Sequence, residues 1–318
     1  MSNETGYEEF YDLADRYLSK GRFEEAIDLY RKLLEMNPND DSLLFSLAWA
    51  YRDGGHVDEA IRCFEELVEK ELSRRIFTGF AFDELVRIYR EGRVYEKLVN
   101  LCERAVAVQP GDMSLLTTLG DSCLRVGKIE RAIEVFETMT RMEPDSPVFF
   151  GYLGNAYVAA GEYGKAEVAY TRAGDIEPTE THTFYNKLAT AYEMAGQCER
   201  AEESIRKAIE AQPQKAIYYC SLGDIMVKQE NIEEAKAAYE RAIKIDEKGR
   251  AAYYNRLAHT LAQGHYVADA IVLYEQAIET EPQNPFYYLS LIEVCTHEGL
   301  DEKARDVYEE AKSKGVLS

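Results

Sequence analysis

Closely paired cysteines are missing from this chain: Cys63, Cys102, Cys123, Cys198, Cys220 and Cys295 are scattered, with no C-x-x-C among them. That excludes the usual zinc spacings and suits reduced thiols better than a disulfide framework. Basic residues are also scarce, 37 against 58 acidic ones, for a formal charge of −21. Such a surface repels nucleic-acid phosphates and anionic lipid, so no nucleic-acid partner is expected and a basic protein or peptide is favoured. No apolar run is long enough to cross a bilayer, so no direct membrane insertion is expected. The amino terminus, MSNETGYEEFYD, lacks the basic and apolar regions of a signal peptide. A cytoplasmic location follows as the expectation, with residues 1–6 disordered. Prolines number only eight, while 46% of residues are hydrophobic and 30% charged, the balance of a folded chain.

Glycine is present where it raises a question. The stretch GNAYVAAGEYGKA (154–166) places Gly154, Gly161, Gly164 and Lys165 close together. A phosphate-binding loop needs G-x-x-x-x-G-K-[ST], whereas the segment from Gly161 reads G-x-x-G-K-A, without the hydroxyl residue. The stretch also recurs. LADRYLSKGRFEEAIDLY (13–30), LAWAYRDGGHVDEAIRCF (47–64), LGDSCLRVGKIERAIEVF (119–136) and LGNAYVAAGEYGKAEVAY (153–170) are copies, as are segments 188–205, 222–239, 257–274 and 291–308, with 85–102 a weaker one.

One column fixes the period. Ala26, Ala60, Leu98, Ala132, Ala166, Ala201, Ala235, Ala270 and Ala304 are separated by 34, 38, 34, 34, 35, 34, 35 and 34 residues. Within a unit, Phe150, Leu153, Gly154 and Tyr157 lie on one helical face, and Ala166, Tyr170 and Ala173 on another. Small residues at Gly154 and Ala166 let the two helices approach. Gly21, Gly55, Gly127, Gly161, Gly196 and Gly299 fall between them, where a left-handed residue ends the first helix. Gly92 and Gly264 come one residue early. The prolines follow second helices or, at Pro147 and Pro285, open first ones.

This pattern resembles the tetratricopeptide repeat family, whose signature is an aromatic, Leu-Gly/Ala and Tyr on a first helix, then Ala, an aromatic and a closing Pro. The fifth unit carries all of it: Phe150, Leu153, Gly154, Tyr157, Ala166, Tyr170 and Pro178. The resemblance implies an all-α, right-handed superhelical solenoid of about nine helix-turn-helix units over 7–318. Their limits fall near 7–40, 41–78, 79–112, 113–146, 147–181, 182–215, 216–250, 251–284 and 285–318.

The pattern breaks in two places. The 38-residue step spans LVEKELSRRIFTGFAF (67–82), and four extra residues predict one additional turn on the preceding helix. The seventh unit lacks its turn glycine, and in Gln229-Glu230-Asn231 the asparagine is expected to adopt the left-handed conformation. The last helix should place Ala304, Val307, Tyr308 and Ala311 inward and solvate its other face.

The resemblance also implies that first helices line a concave groove that holds peptides or partner helices. Exposed columns beside the core leucine then nominate Trp49 and Arg87 near the amino end, and Asn155, Asn186, Lys187, Asn255, Arg256 and His259 later. Asparagines and cations can grip a peptide backbone and a carboxylate. Chaperone-binding members of the family hold an acidic carboxyl terminus in a clamp of lysines and asparagines. Asp15, Trp49 and Arg87 do not match that clamp, and Asn155, Asn186 and Lys187 give only a displaced imitation. Glu293 and His297 could form an acid/base pair but lack a nucleophile.

No catalytic, metal or cofactor constellation emerges. The expectation is therefore a non-enzymatic interaction scaffold or adaptor, with homo-oligomeric self-assembly as the alternative. RNA binding, as in pentatricopeptide repeats of similar period, is disfavoured by the charge.

Overall fold

The computed structural model describes residues 2–75 and 77–317, with side chains from residue 7 onward. The expected disordered stretch 1–6 therefore lies outside the described residues as far as its side chains are concerned. Among the described residues there are 18 α-helices, two short 3-10 turns and no strand. The chain divides into two units, 1–142 and 143–318.

In the first unit the helices are α1 (Ser2–Ser19), α2 (Phe23–Met36), α3 (Asp41–Asp53), α4 (Val57–Arg74), α5 (Phe80–Glu91), α6 (Tyr95–Val108), α7 (Met113–Arg125) and α8 (Ile129–Met142). The second unit contains α9 (Pro147–Ala159), α10 (Tyr163–Ile176), α11 (Thr181–Met194), α12 (Cys198–Ala211), α13 (Ala216–Lys228), α14 (Ile232–Ile245), α15 (Arg250–Gln263), α16 (Val267–Thr280), α17 (Pro285–His297) and α18 (Asp301–Ser313). In each unit, odd and even helices pack as antiparallel pairs, and each even helix packs on the next odd one. This is the all-α solenoid arrangement, in which each pair buries its apolar face only by stacking on neighbours.

The alanine column explains the tight pairing. Ala26, Ala60, Ala132, Ala166, Ala201, Ala235 and Ala270 are fully buried. Opposite them, a Cβ on Gly120, Gly154 or Gly223 would come within 2.4, 2.5 and 2.5 Å of the rings of Phe136, Tyr170 and Tyr239. Each glycine thus makes room for the aromatic of its partner helix. Several helices open on side-chain caps: Asp40 accepts from the N–H groups of Ser42 and Leu43, and Asp112 from those of Ser114 and Leu115. Such caps each contribute about 1 kcal/mol.

The turns follow one hydrogen-bond scheme. The Glu162 N–H donates to the Tyr157 carbonyl at 2.8 Å and the Gly161 N–H to that of Val158 at 3.0 Å, closing a Schellman motif with Gly161 at φ 73°. Three turns within helix pairs place a side chain in the same left-handed conformation, Arg93 at φ 56°, Glu230 at 63° and His265 at 66°, and Arg75 at 54° does so at the end of α4. In the seventh pair it is Glu230, rather than the expected Asn231, because the motif needs the residue whose N–H reaches back to Val227. Position overrides residue preference there. The extra turn is where the 38-residue step predicts it, since α4 runs for 18 residues against 14 for most second helices. In α18, Ala304, Val307 and Ala311 are buried, but Tyr308 is 36% exposed rather than inward.

Candidate partner-binding surface

The columns that nominated binding residues carry much of the internal polar structure. Tyr170 on α10 donates to Asn155 on α9 at 2.6 Å, Tyr239 on α14 donates to Asp224 on α13 at 2.5 Å, and Tyr30 donates to Asp15 in the first pair. In each case donor and acceptor are 15 residues apart. A buried tyrosine hydroxyl needs a partner, and the first-helix residue facing it supplies one. Where the second helix carries Phe64 or Phe136, the column holds Trp49 or Asp121 and no such bond is required.

Asp224 is the most heavily used acceptor. Besides Tyr239, it receives Nε and Nη2 of Arg256 at 3.0 and 2.6 Å and the Thr260 hydroxyl at 2.9 Å. Its side chain is 13% exposed and that of Arg256 38%. Arg256 therefore fastens α15 to α13. Burial pushes the Tyr239 phenol up, with Asp224 adding to the effect.

In the first unit, the Arg52 guanidinium lies 3.6 Å from the centre of the Trp49 ring and pairs with Glu84 at 2.8 Å. Arg87 pairs with the same Glu84 at 2.6 Å and with Glu91 at 3.2 Å. Burial opposes ionisation of Glu84, but Arg87 and Arg52 outweigh it and hold its carboxyl below the usual range. Trp49 is thus stacked beneath a cation, with its buried indole N–H lacking a hydrogen-bond partner among the described residues.

On the second unit, Asn186 is half-buried and Lys187 exposed on α11, with the ammonium 5.9 Å from the Phe184 ring centre. Asn255 is half-buried, and its side-chain oxygen finds no partner among the described residues. Exposed His259 meets Gln263 at 3.0 Å and borders a cavity of about 300 Å³ with His265, Tyr274, Ser290, Glu293 and His297. The structure thus brings Trp49 and Arg87 into one cluster through Arg52 and Glu84. Arg256 and His259 sit on successive turns of α15.

Sequence reasoning missed Asp224, Arg52 and Tyr274. The signal was present, because a tyrosine 15 residues after an Asp or Asn marks a paired column, and Tyr274 stands 15 residues after a histidine. Among the described residues no group of His, Cys, Asp and Glu is arranged to hold a metal, and no helix is long and apolar enough to cross a membrane.

Stacked helix pairs with close-packed glycine and alanine contacts define an all-α repeat protein. Tetratricopeptide repeat models match residues 11–74, 117–179 and 180–248, more than half of the chain, which belongs to the tetratricopeptide repeat family. A PPR repeat model matches residues 286–316. The chain is 23% identical over 168 residues to the human protein named Protein O-mannosyl-transferase TMTC1, covering 51% of this chain and 18% of that one. It is 24% identical over 169 residues to Superkiller protein 3 of Schizosaccharomyces pombe, covering 51% and 12%. The matches thus span less than a fifth of either relative. A crystal structure of MamA protein matches with 21% identity and a TM-score of 0.45, covering 54% of this chain and 94% of that one.

Proposed function

We propose that the chain is a non-enzymatic scaffold or adaptor that holds a protein partner, and that the odd-numbered helices of the second unit provide the binding surface. The observation that carries this reading is the division of labour on those helices. Asn155 and Arg256 are engaged internally by Tyr170 and Asp224, while Asn186, Lys187 and His259 present polar groups beside them and the Asn255 side-chain oxygen is buried. An amide can both donate to and accept from an extended peptide, and Lys187 adds a cation. Family membership supports protein binding as the general role. A largely basic partner and the absence of nucleic-acid binding belong to the same proposal and rest on charge, while a cytoplasmic setting rests on the scattered, unpaired cysteines.

The test is affinity capture from source-cell extract with the wild type and with a triple variant, Asn186→Ala, Lys187→Ala and His259→Ala, after circular dichroism shows equal helicity. A protein recovered by the wild type and lost by the variant supports the assignment. Equal recovery moves the surface elsewhere, with the Trp49 and Arg87 cluster next in line.

Self-association is favoured by a different observation. Phe286 and Leu289, one helical turn apart on α17, are 58% and 50% exposed. Concentration-dependent mass by analytical ultracentrifugation, abolished by Phe286→Asp with Leu289→Asp, would establish that reading.

A further inference from the structure

The cavity beside His259 differs from its counterparts in one respect. Tyr30, Tyr170 and Tyr239 close their hydroxyl groups on an acceptor 15 residues earlier, but for Tyr274 that position is His259 and no such bond forms. Tyr274 is 1% exposed, it lines the cavity, and its hydroxyl has no hydrogen-bond partner among the described residues. Burial first and the Glu293 charge second push its phenol up to about 12, so it remains a neutral donor and acceptor. The hydroxyl opens on the cavity rather than being sealed from solvent, so it is free to bond an incoming polar group.

The rest of the lining defines which group. Glu293 enters no ion pair among the described residues, Glu298 touches only His297 at 2.9 Å, and no lysine or arginine is among the lining residues. Gln263 directs its amide nitrogen to His259, which leaves its carbonyl oxygen as an acceptor. His259, His265 and His297 add three imidazole rings to the lining. At about 300 Å³ the space is at the small end for ligand cavities, the size of a side chain rather than a helix.

We propose that this cavity is a recognition pocket for a guanidinium group, the side chain of an arginine presented by the partner. A guanidinium is planar, carries five donors in a rigid fork and stacks on flat rings. It therefore matches a carboxylate, a hydroxyl, an amide oxygen and imidazole rings gathered around one space. A compact ammonium would use the charge but neither the rings nor the fork. That the arginine comes from a protein rests on the scaffold reading; the preference for a guanidinium does not.

The test uses the full chain and nuclear magnetic resonance of its imidazoles. Three of the chain's five histidines line this cavity, while His56 and His182 lie elsewhere and serve as internal controls. Nα-acetyl-arginine amide is titrated against the lysine and aspartate analogues at mildly alkaline pH. The expected result is saturable shifts of His259, His265 and His297 only, with the arginine compound binding more tightly than the lysine one and no effect of aspartate. Glu293→Gln should weaken binding roughly tenfold, the loss of one charge-assisted contact, and Tyr274→Phe should weaken it less. Absence of saturable shifts, a preference for the lysine or aspartate compound, or unchanged affinity in Glu293→Gln overturns the proposal. A second arm repeats the titration with a glycine-flanked arginine pentapeptide. Binding no tighter than that of agmatine would overturn the peptide source of the group while leaving capture by Asn186 and Lys187 as a separate result.

Discussion

Helices α13 and α14 and helices α15 and α16 are successive pairs with the same column geometry and opposite outcomes. In the former, Asp224 receives Tyr239, Arg256 and Thr260 and the site is closed. In the latter, His259 stands where Asp224 would, Tyr274 has no acceptor, and a cavity opens between α15 and α17. One column residue therefore decides whether a repeat spends its polar groups on itself or leaves them for a ligand. Repeats of one backbone can specialise in this way because each contacts only its neighbours.

The comparison predicts a graded series of effects. The largest belongs to Asp224→Ala, which strands a guanidinium and the Tyr239 hydroxyl, while that of Thr260 keeps the Arg256 carbonyl. The cost should be about 2–4 kcal/mol, below that of a fully buried pair because Arg256 is 38% exposed. His259→Ala, at the matching position, should change stability by no more than about 0.5 kcal/mol. Urea denaturation of both variants measures the difference, and equal losses would remove the distinction between the pairs.

Gly223→Ala comes next. The added methyl would meet the Tyr239 ring at 2.5 Å, so the variant should lose about 1–3 kcal/mol despite the better helix propensity of alanine. A neutral or stabilising result in thermal denaturation would show that the ring yields.

Removing single hydroxyls sharpens the contrast. Tyr239→Phe should cost about 1 kcal/mol and leave Asp224 less satisfied, whereas Tyr274→Phe should fall within about 0.5 kcal/mol of wild type. A comparable loss for Tyr274→Phe would reveal a partner for that hydroxyl.

His265→Gly should stabilise by a few tenths to about 1 kcal/mol, since φ 66° suits glycine better than histidine. A loss would indicate that the imidazole contributes more than its backbone strain.

The smallest effect is a pH dependence one pair earlier. His182 is 6% exposed and its Nδ1 lies 2.7 Å from the Tyr218 hydroxyl. Burial first, then the Lys215 charge, lower its pKa below the ordinary 6.5. The unfolded chain therefore binds the proton more readily. The contribution is fully present above that ordinary value and is lost as pH falls through the depressed one. Melting temperatures measured across mild acid should fall less steeply for His182→Gln than for wild type, and parallel curves would count against this linkage.

Much of this was legible in the chain itself. The period of the alanine column sets the helix pairs, because only a small residue fits where two helices cross. The glycines at Gly21, Gly55, Gly127, Gly161, Gly196 and Gly299 mark turns whose backbone is left-handed. The four extra residues lengthened α4 by the turn that helical geometry requires. These features are local or repeat along the chain, so sequence spacing expresses them.

The state of the candidate surface was decided by contacts between helices of different pairs. Trp49, Arg87 and Arg256 stand in exposed columns of the sequence, yet their surroundings depend on Arg52, Glu84 and Asp224, 32 residues away from a partner in two of these links. Whether a polar side chain is satisfied depends on what faces it, and spacing along one helix does not report that. The sequence by itself determined a tetratricopeptide solenoid with its turns and close-packing residues, since these follow from backbone geometry and side-chain size. Only the tertiary structure decided that Asp224 is closed and Tyr274 open, because hydrogen bonding across stacked pairs settles which groups remain for a ligand.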